Sequence, residues 1–153
     1  MNDFKKPDRS LPGADDFVHW TRDNIRFGDL DIQGHVNNTV IAGYFETGRV
    51  TMFRERGLGL GGGTENVHVA LVHAEMTFVR ELRWPGTVEI GTAVLRLGRT
   101  SCTLRHGLFS GGHCVAHGTA TLVLIDAASR RPAPIPEALA ARLTQWSRPA
   151  PQP

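Results

Sequence analysis

The stretch HVNNTVIAGYFETGRVTMFRERG, His35 to Gly57, decides the fold. From Val36 onward its apolar residues Val40, Ile41, Tyr44, Phe45, Met52 and Phe53, with the small Gly48 among them, recur at steps of three and four. That spacing lines them along one face of a helix. Asn37 or Asn38 suits the N-cap, because its side-chain oxygen accepts from an amide the first turn leaves unpaired. Gly57, after Arg54-Glu55-Arg56, suits the stop, with basic side chains at the negative end of the helix dipole. About twenty residues make a helix roughly 30 Å long.

The flanking sequence reads as strands. Phe17 to Phe27 carries Val18, Trp20, Ile25 and Phe27 and predicts a first strand before the helix. Four more are predicted after it: Val67 to Arg83, Thr87 to Leu97 with Val88, Ile90 and Val94 on one face, Ser101 to Phe109, and His113 to Ile125. They are separated by Trp84-Pro85-Gly86, Gly98-Arg99-Thr100 and Ser110-Gly111-Gly112, the last of these a hairpin turn. Pro132, Pro134 and Pro136 break the pattern, and Glu137 to Trp146 predicts a short helix with Leu139, Leu143 and Trp146 along one side. Four strands joined by short turns make an antiparallel sheet, and the long helix must bury its apolar face against it. The fold class is α+β, a curved antiparallel sheet wrapped around one long central helix.

The glycine-rich segment GLGLGGGTEN, Gly57 to Asn66, is not a phosphate loop: it follows a helix rather than a strand and lacks a Gly-Lys-Ser/Thr ending. It reads as a linker. The chain of 153 residues suits one domain. The expected division is a flexible arm over 1–16, with Pro7, Pro12 and Gly13, a single domain over 17–147, and a disordered tail over 148–153.

Charge and cysteine use exclude several functions. Seventeen basic less fifteen acidic residues leave +2, and without clustering that gives no footprint for nucleic acid. Cys102 and Cys114 are offset across the predicted hairpin, so they are expected as two reduced thiols rather than a disulfide. No leader-like apolar segment opens the chain and no apolar run approaches membrane-spanning length. The expected location is the cytoplasm, with no membrane partner.

FGDLDIQGHVNN, Phe27 to Asn38, holds the polar groups that matter. An Asp in a strand-to-helix turn is ordinarily a turn former or a cap, and Gly34 ordinarily supplies a positive φ. Position adds a second reading. A helix start presents unpaired amides and partial positive charge, where an oxygen acquiring negative charge is stabilised. A carboxylate beside it can attack a carbonyl or deprotonate a water while those amides hold the oxyanion.

RFGDLDIQGHVNNTVIAGYFETGRV resembles the signature of hotdog-fold acyl-CoA thioesterases of the 4-hydroxybenzoyl-CoA thioesterase type, and the likeness continues more loosely from about Thr21 to Ile125. The resemblance implies the hotdog fold and hydrolysis of an acyl-CoA to free acid and CoA, with no cofactor and no metal. It makes Asp31 the catalytic carboxylate, as nucleophile or general base. It places the backbone amide near Asn38 on the carbonyl and makes Asp29 and Gly34 supports of the loop. His35 either donates to the thioester or braces the loop. Arg99, Thr100 and Ser101, in the turn LGRTSC, are the positions that meet CoA phosphate, although Thr100 stands where some members carry a basic residue. Family members are homodimers, often dimers of dimers, with sites at the subunit boundary, and the same is expected here.

Other candidates have weaker support. Glu46 matches the helix glutamate that another hotdog branch uses for catalysis, but pairing with Arg49 or Arg26, or facing a subunit boundary, is the simpler expectation. The histidines are scattered: His68 and His73 share one strand, His106, His113 and His117 lie on others. A zinc site is not expected. No Gly-x-Ser-x-Gly elbow is present. The rival activities are hydrolysis of an acyl group on a carrier protein and non-catalytic binding of acyl-CoA. Asp31 argues against the latter, since a binder has no use for a carboxylate beside a thioester.

Overall fold

The computed structural model describes residues 11–56 and 66–148. The glycine-rich linker, the proposed stop at Gly57, most of the arm and nearly all of the tail lie outside the described residues. The strands are β1 (His19–Asn24), β2 (Val67–Phe78), β3 (Thr87–Leu97), β4 (Ser101–Ser110) and β5 (His113–Asp126); the helices are α1 (Asn38–Glu55) and α2 (Glu137–Thr144). All five strands form one antiparallel sheet in the order β1-β3-β4-β5-β2, with α1 packed on it. This is the expected α+β hotdog arrangement.

The face of α1 set by sequence spacing is the one that is buried. Ile41, Tyr44, Phe45, Gly48, Met52 and Phe53 are all inside. Each large apolar side chain among them contributes about 1.5–3 kcal/mol of transfer free energy. Gly48 lets the helix approach β3: a Cβ there would lie 2.5 Å from Ile90 Cγ2 and 2.9 Å from Thr92 Oγ1. Asn37 is the cap, its side-chain oxygen accepting from the Thr39 amide at 2.9 Å. The two cysteines are buried and free, Cys102 paired in register with Leu122 and Cys114 with Phe109.

Three predicted elements are shorter than expected. The first strand starts at His19 and ends at Asn24, and Phe27–Asp29 forms a 3-10 turn, because the Asp29 carboxylate accepts from the Arg26 amide at 2.7 Å. The second ends at Phe78 rather than Arg83. There the amides of Val79 and Arg80 both turn to the carbonyl of Val115, and the chain leaves the ladder. Residues 79–84 then pass beside the start of α1, where the Leu82 carbonyl accepts from the Val36 amide at 2.8 Å. The last helix ends at Thr144; Trp146 lies beyond it, under the Arg56 guanidinium at 3.9 Å, with its carbonyl accepting from the Val94 amide. At the end of the expected arm, Ala14–Asp16 forms a 3-10 turn and Asp16 accepts from Arg105 at 3.1 Å.

Candidate active site

Between β1 and α1 the chain folds on itself through its own carboxylates. Asp29 Oδ2 accepts from the Arg26 amide and, at 3.0 Å, from the Tyr44 hydroxyl of α1, while the Asp29 carbonyl accepts from the Asn37 amide. Burial pushes the Tyr44 hydroxyl above its ordinary pKa, and the Asp29 carboxylate pushes it further, so it remains a donor. Asp29 thus ties the loop to the helix it precedes.

Asp31 makes the next turn. Its Oδ1 accepts from the amides of Gln33 at 2.8 Å and His35 at 3.2 Å, and its backbone bonds to Gly34 and His35. Gly34 adopts φ +76°, which a residue with a Cβ rarely takes. Asp31 Oδ2 has no hydrogen-bond partner among the described residues. At the helix start Asn37 Oδ1 takes the Thr39 amide, and the Asn38 amide is left unpaired among the described residues, as the geometry of a first turn requires. The loop therefore presents one free carboxylate oxygen and one free helix-start amide.

His35 Nε2 lies 2.6 Å from Arg83 Nη2 and 3.1 Å from Glu81 Oε2, and that Arg83 nitrogen lies 3.0 Å from the same glutamate oxygen. One ring nitrogen cannot accept from Arg83 and donate to Glu81 together. With Arg83 as donor to both, the ring carries its proton on Nδ1 and its Nε2 is spent on bracing. Phe27, Ile32 and Trp84 are exposed around the loop, Phe27 and Trp84 meeting edge to face.

Arg99, Thr100 and Ser101 lie elsewhere. Asn24, at the loop end of β1, pairs with Thr87 at the start of β3. The turn follows Leu97, ten residues along that strand, on the order of 30 Å away. Within one chain the fold does not bring these residues to Asp31. Their carbonyls hold local structure: Arg99 to the Ile135 amide, Thr100 to the Leu124 amide, Ser101 to the Gly98 amide.

A cavity of about 330 Å³ runs along α1 between the helix and β2. Thr39, Glu46 and Arg49 line it from the helix, Met76 from β2 and His106 from β4. Glu46 Oε1 accepts from Arg49 Nη2 at 3.3 Å, so the expected pairing forms, and it forms in the cavity wall. Arg49 is buried, and His106 is 1% exposed, stacked on Phe45 with ring centroids 5.3 Å apart. Sequence reasoning left Arg49 and His106 outside the site. The alternation Leu104, His106, Leu108 was the signal that turns His106 inward. Among the described residues no group of three or more His, Cys, Asp or Glu side chains is placed to hold a metal, and no helix is long and apolar enough to cross a membrane.

Residues 25–143 match the model of the thioesterase-like superfamily. A protein from Pseudomonas aeruginosa PAO1 is 30% identical with TM-score 0.80, covering 90% of this chain and 96% of its own. A thioesterase from Thermus thermophilus, solved with coenzyme A and Zn, is 31% identical with TM-score 0.72, covering 83% and 98%. The DHNA-CoA thioesterase of Staphylococcus aureus, at 15% identity and TM-score 0.76 over 83% and 89%, shares the fold. No curated protein matches the chain.

Proposed function

From the premise that this chain belongs to the thioesterase-like superfamily and is a thioester hydrolase, we propose that it cleaves acyl-CoA to free acid and CoA with Asp31 as the catalytic carboxylate. The observation that carries the reading is the free Asp31 Oδ2 on the loop whose helix start offers the free Asn38 amide. The thioester carbonyl oxygen accepts from that amide, and the partial charge of the helix end stabilises the oxyanion. Asp31 Oδ2 either attacks the carbonyl carbon, giving a mixed anhydride that water then opens, or takes a proton from an attacking water. In both routes the carbon–sulfur bond breaks and CoA leaves as thiolate. Asp29 and Gly34 hold the loop, and His35 braces it against Arg83 and Glu81.

The reading places the protein in the 4-hydroxybenzoyl-CoA thioesterase type, as a cytoplasmic enzyme with one domain over 17–147, an arm over 1–16 and a tail over 148–153. It needs no cofactor. Arg99, Thr100 and Ser101 serve CoA phosphate from a neighbouring subunit, since in one chain they lie far from Asp31. A homodimer, or a dimer of dimers, supplies that neighbour, and the apolar surface of Phe27, Ile32 and Trp84 around the loop suits a subunit boundary.

One observation favours a second carboxylate: Glu46 lines the cavity and Asp31 does not. Thiol release from a panel of acyl-CoAs separates them. Asp31→Asn is expected to lose activity by on the order of 10² or more, with Glu46→Gln much less affected. Full activity in Asp31→Asn and loss in Glu46→Gln transfers the role to Glu46. A native chain that cleaves acyl-carrier-protein esters but no acyl-CoA replaces the substrate.

A further inference from the structure

The cavity along α1 contains an undercompensated cation. The Arg49 side chain is 10% exposed and that of its ion partner, Glu46, is 66% exposed. Water screens the glutamate far more than the arginine. A guanidinium has five N–H donors, and the one hydrogen bond Arg49 makes among the described residues is the 3.3 Å contact with Glu46. Across the cavity His106 Nδ1 meets Thr92 Oγ1 at 3.3 Å, on the β3 side, and its buried Nε2 has no partner among the described residues. The ring lies between β3 and β5 in register, and its Nε2 is shut off from the open space of the cavity. With the Thr92 hydroxyl donating to Nδ1, Nε2 carries the ring proton. One charged set of unspent donors, that of Arg49, therefore faces an apolar-walled space.

Their position along the helix relates them to the reaction. Thr39, Glu46 and Arg49 share one face of α1. Eleven residues separate Asn38 from Arg49, roughly 16 Å of helix, and a long side chain leans back toward the helix start by about a turn. The donors thus sit on the order of 10 Å from the amide that would hold the thioester carbonyl. A wholly apolar acyl chain filling this space would strip water from Arg49 and return nothing. A carboxylate at the far end would accept charge-assisted bonds.

We propose that the cavity is an acyl subsite selecting chains with a terminal carboxylate, which accepts from Arg49, so that ω-carboxyacyl-CoAs are the preferred substrates. The inference rests on the acyl-CoA thioesterase reading above. Glu46 turns to solvent as the ligand's carboxylate replaces it.

The test is thiol release by the full chain from adipyl-, suberyl- and sebacyl-CoA, each against its monocarboxylic counterpart, hexanoyl-, octanoyl- or decanoyl-CoA. At the best chain length the carboxylate-bearing ester is expected to have kcat/KM roughly tenfold or more above its counterpart, the scale of a hydrogen bond to a charged group. That ratio should fall toward one in Arg49→Gln. Circular dichroism melting checks that the variant folds, and if it does not, the native ratio alone decides. A native ratio at or below one at every length, or a ratio unchanged in a folded Arg49→Gln, overturns the subsite while leaving the hydrolase intact. Hydrolysis of none of the six esters instead removes the CoA-ester reading beneath it.

Discussion

Acid should unfold this protein partly through one histidine. Burial, and then the nearby charge of Arg49, hold the His106 pKa down at about 3, against an ordinary 6.5. Above pH 6.5 neither the folded nor the unfolded chain binds a proton there. Between 6.5 and about 3 only the unfolded chain does, so stability falls as pH falls. Below about 3 the folded ring is protonated too and the loss levels off. At 1.36 kcal/mol per pH step, the loss at pH 4.5 is on the order of 3 kcal/mol, and the whole gap is on the order of 5 kcal/mol. The perturbation that isolates it is His106→Phe. The variant leaves Thr92 Oγ1 without its ring partner, costing about 1 kcal/mol at every pH, so the comparison is between slopes. Urea unfolding followed by tryptophan fluorescence at pH 7.5, 6, 5 and 4.5 gives the free energy of each chain. The native chain should lose on the order of 3 kcal/mol more than the variant between pH 7.5 and 4.5, the carboxylates common to both cancelling. Parallel curves would refute the buried, neutral ring, and with it the claim that His106 Nε2 stands dry beside Arg49.

Two further substitutions probe the frame. Gly48→Ala forces a Cβ against Ile90 and Thr92; overpacking costs about 1–3 kcal/mol, helix propensity returns about 1, and thermal melting should show a Tm lower by a few degrees. A rise would mean that α1 does not sit so close to β3. At the sheet edge β2 pairs with β5 alone among the described strands, and Leu71, Val72 and Phe78 are exposed on it. Light scattering should give the native chain a dimer mass or a multiple of it, and Val72→Lys should shift that mass toward the monomer; a native monomer at all concentrations would sink the two-subunit site.

The parts of the fold legible in the sequence are those whose signal is local. The apolar face of α1 follows from spacing within the helix, and the β4–β5 hairpin from its turn. The overextended strands failed for a non-local reason. Nothing between Val79 and Arg83 is unsuited to a strand; the ladder ends because two successive amides share the Val115 carbonyl, on another strand. The site divides along the same line. Asp29, Asp31, Gly34 and Asn37 act on neighbours within eight residues, apart from the Asp29–Tyr44 bond, so a turn-and-cap reading finds them. Arg49 and His106 lie 57 residues apart and share a cavity wall only once β4 is registered against β3 and α1 packed across both.

The ordinary and the chemical readings of the Asp31 loop do not compete. The turn uses Asp31 Oδ1, and the proposed hydrolysis uses the other oxygen. The cap uses the Asn37 side chain on the Thr39 amide, and the proposed polarisation of the carbonyl uses the Asn38 amide. Each structural bond fixes the group next to it: an Asp anchored through Oδ1 has lost the rotamer freedom that would blur the position of Oδ2, and a capped first turn holds the Asn38 amide along the helix axis. This is also why Asp31→Asn is a clean substitution. An asparagine oxygen still accepts from Gln33 and His35, so the loop keeps its shape, while the negative charge that attacks, or takes the proton, is gone. Asp29→Asn probes the frame instead: an asparagine oxygen can still accept from the Arg26 amide and the Tyr44 hydroxyl, but without the charge both bonds weaken, and with them the approach to the helix.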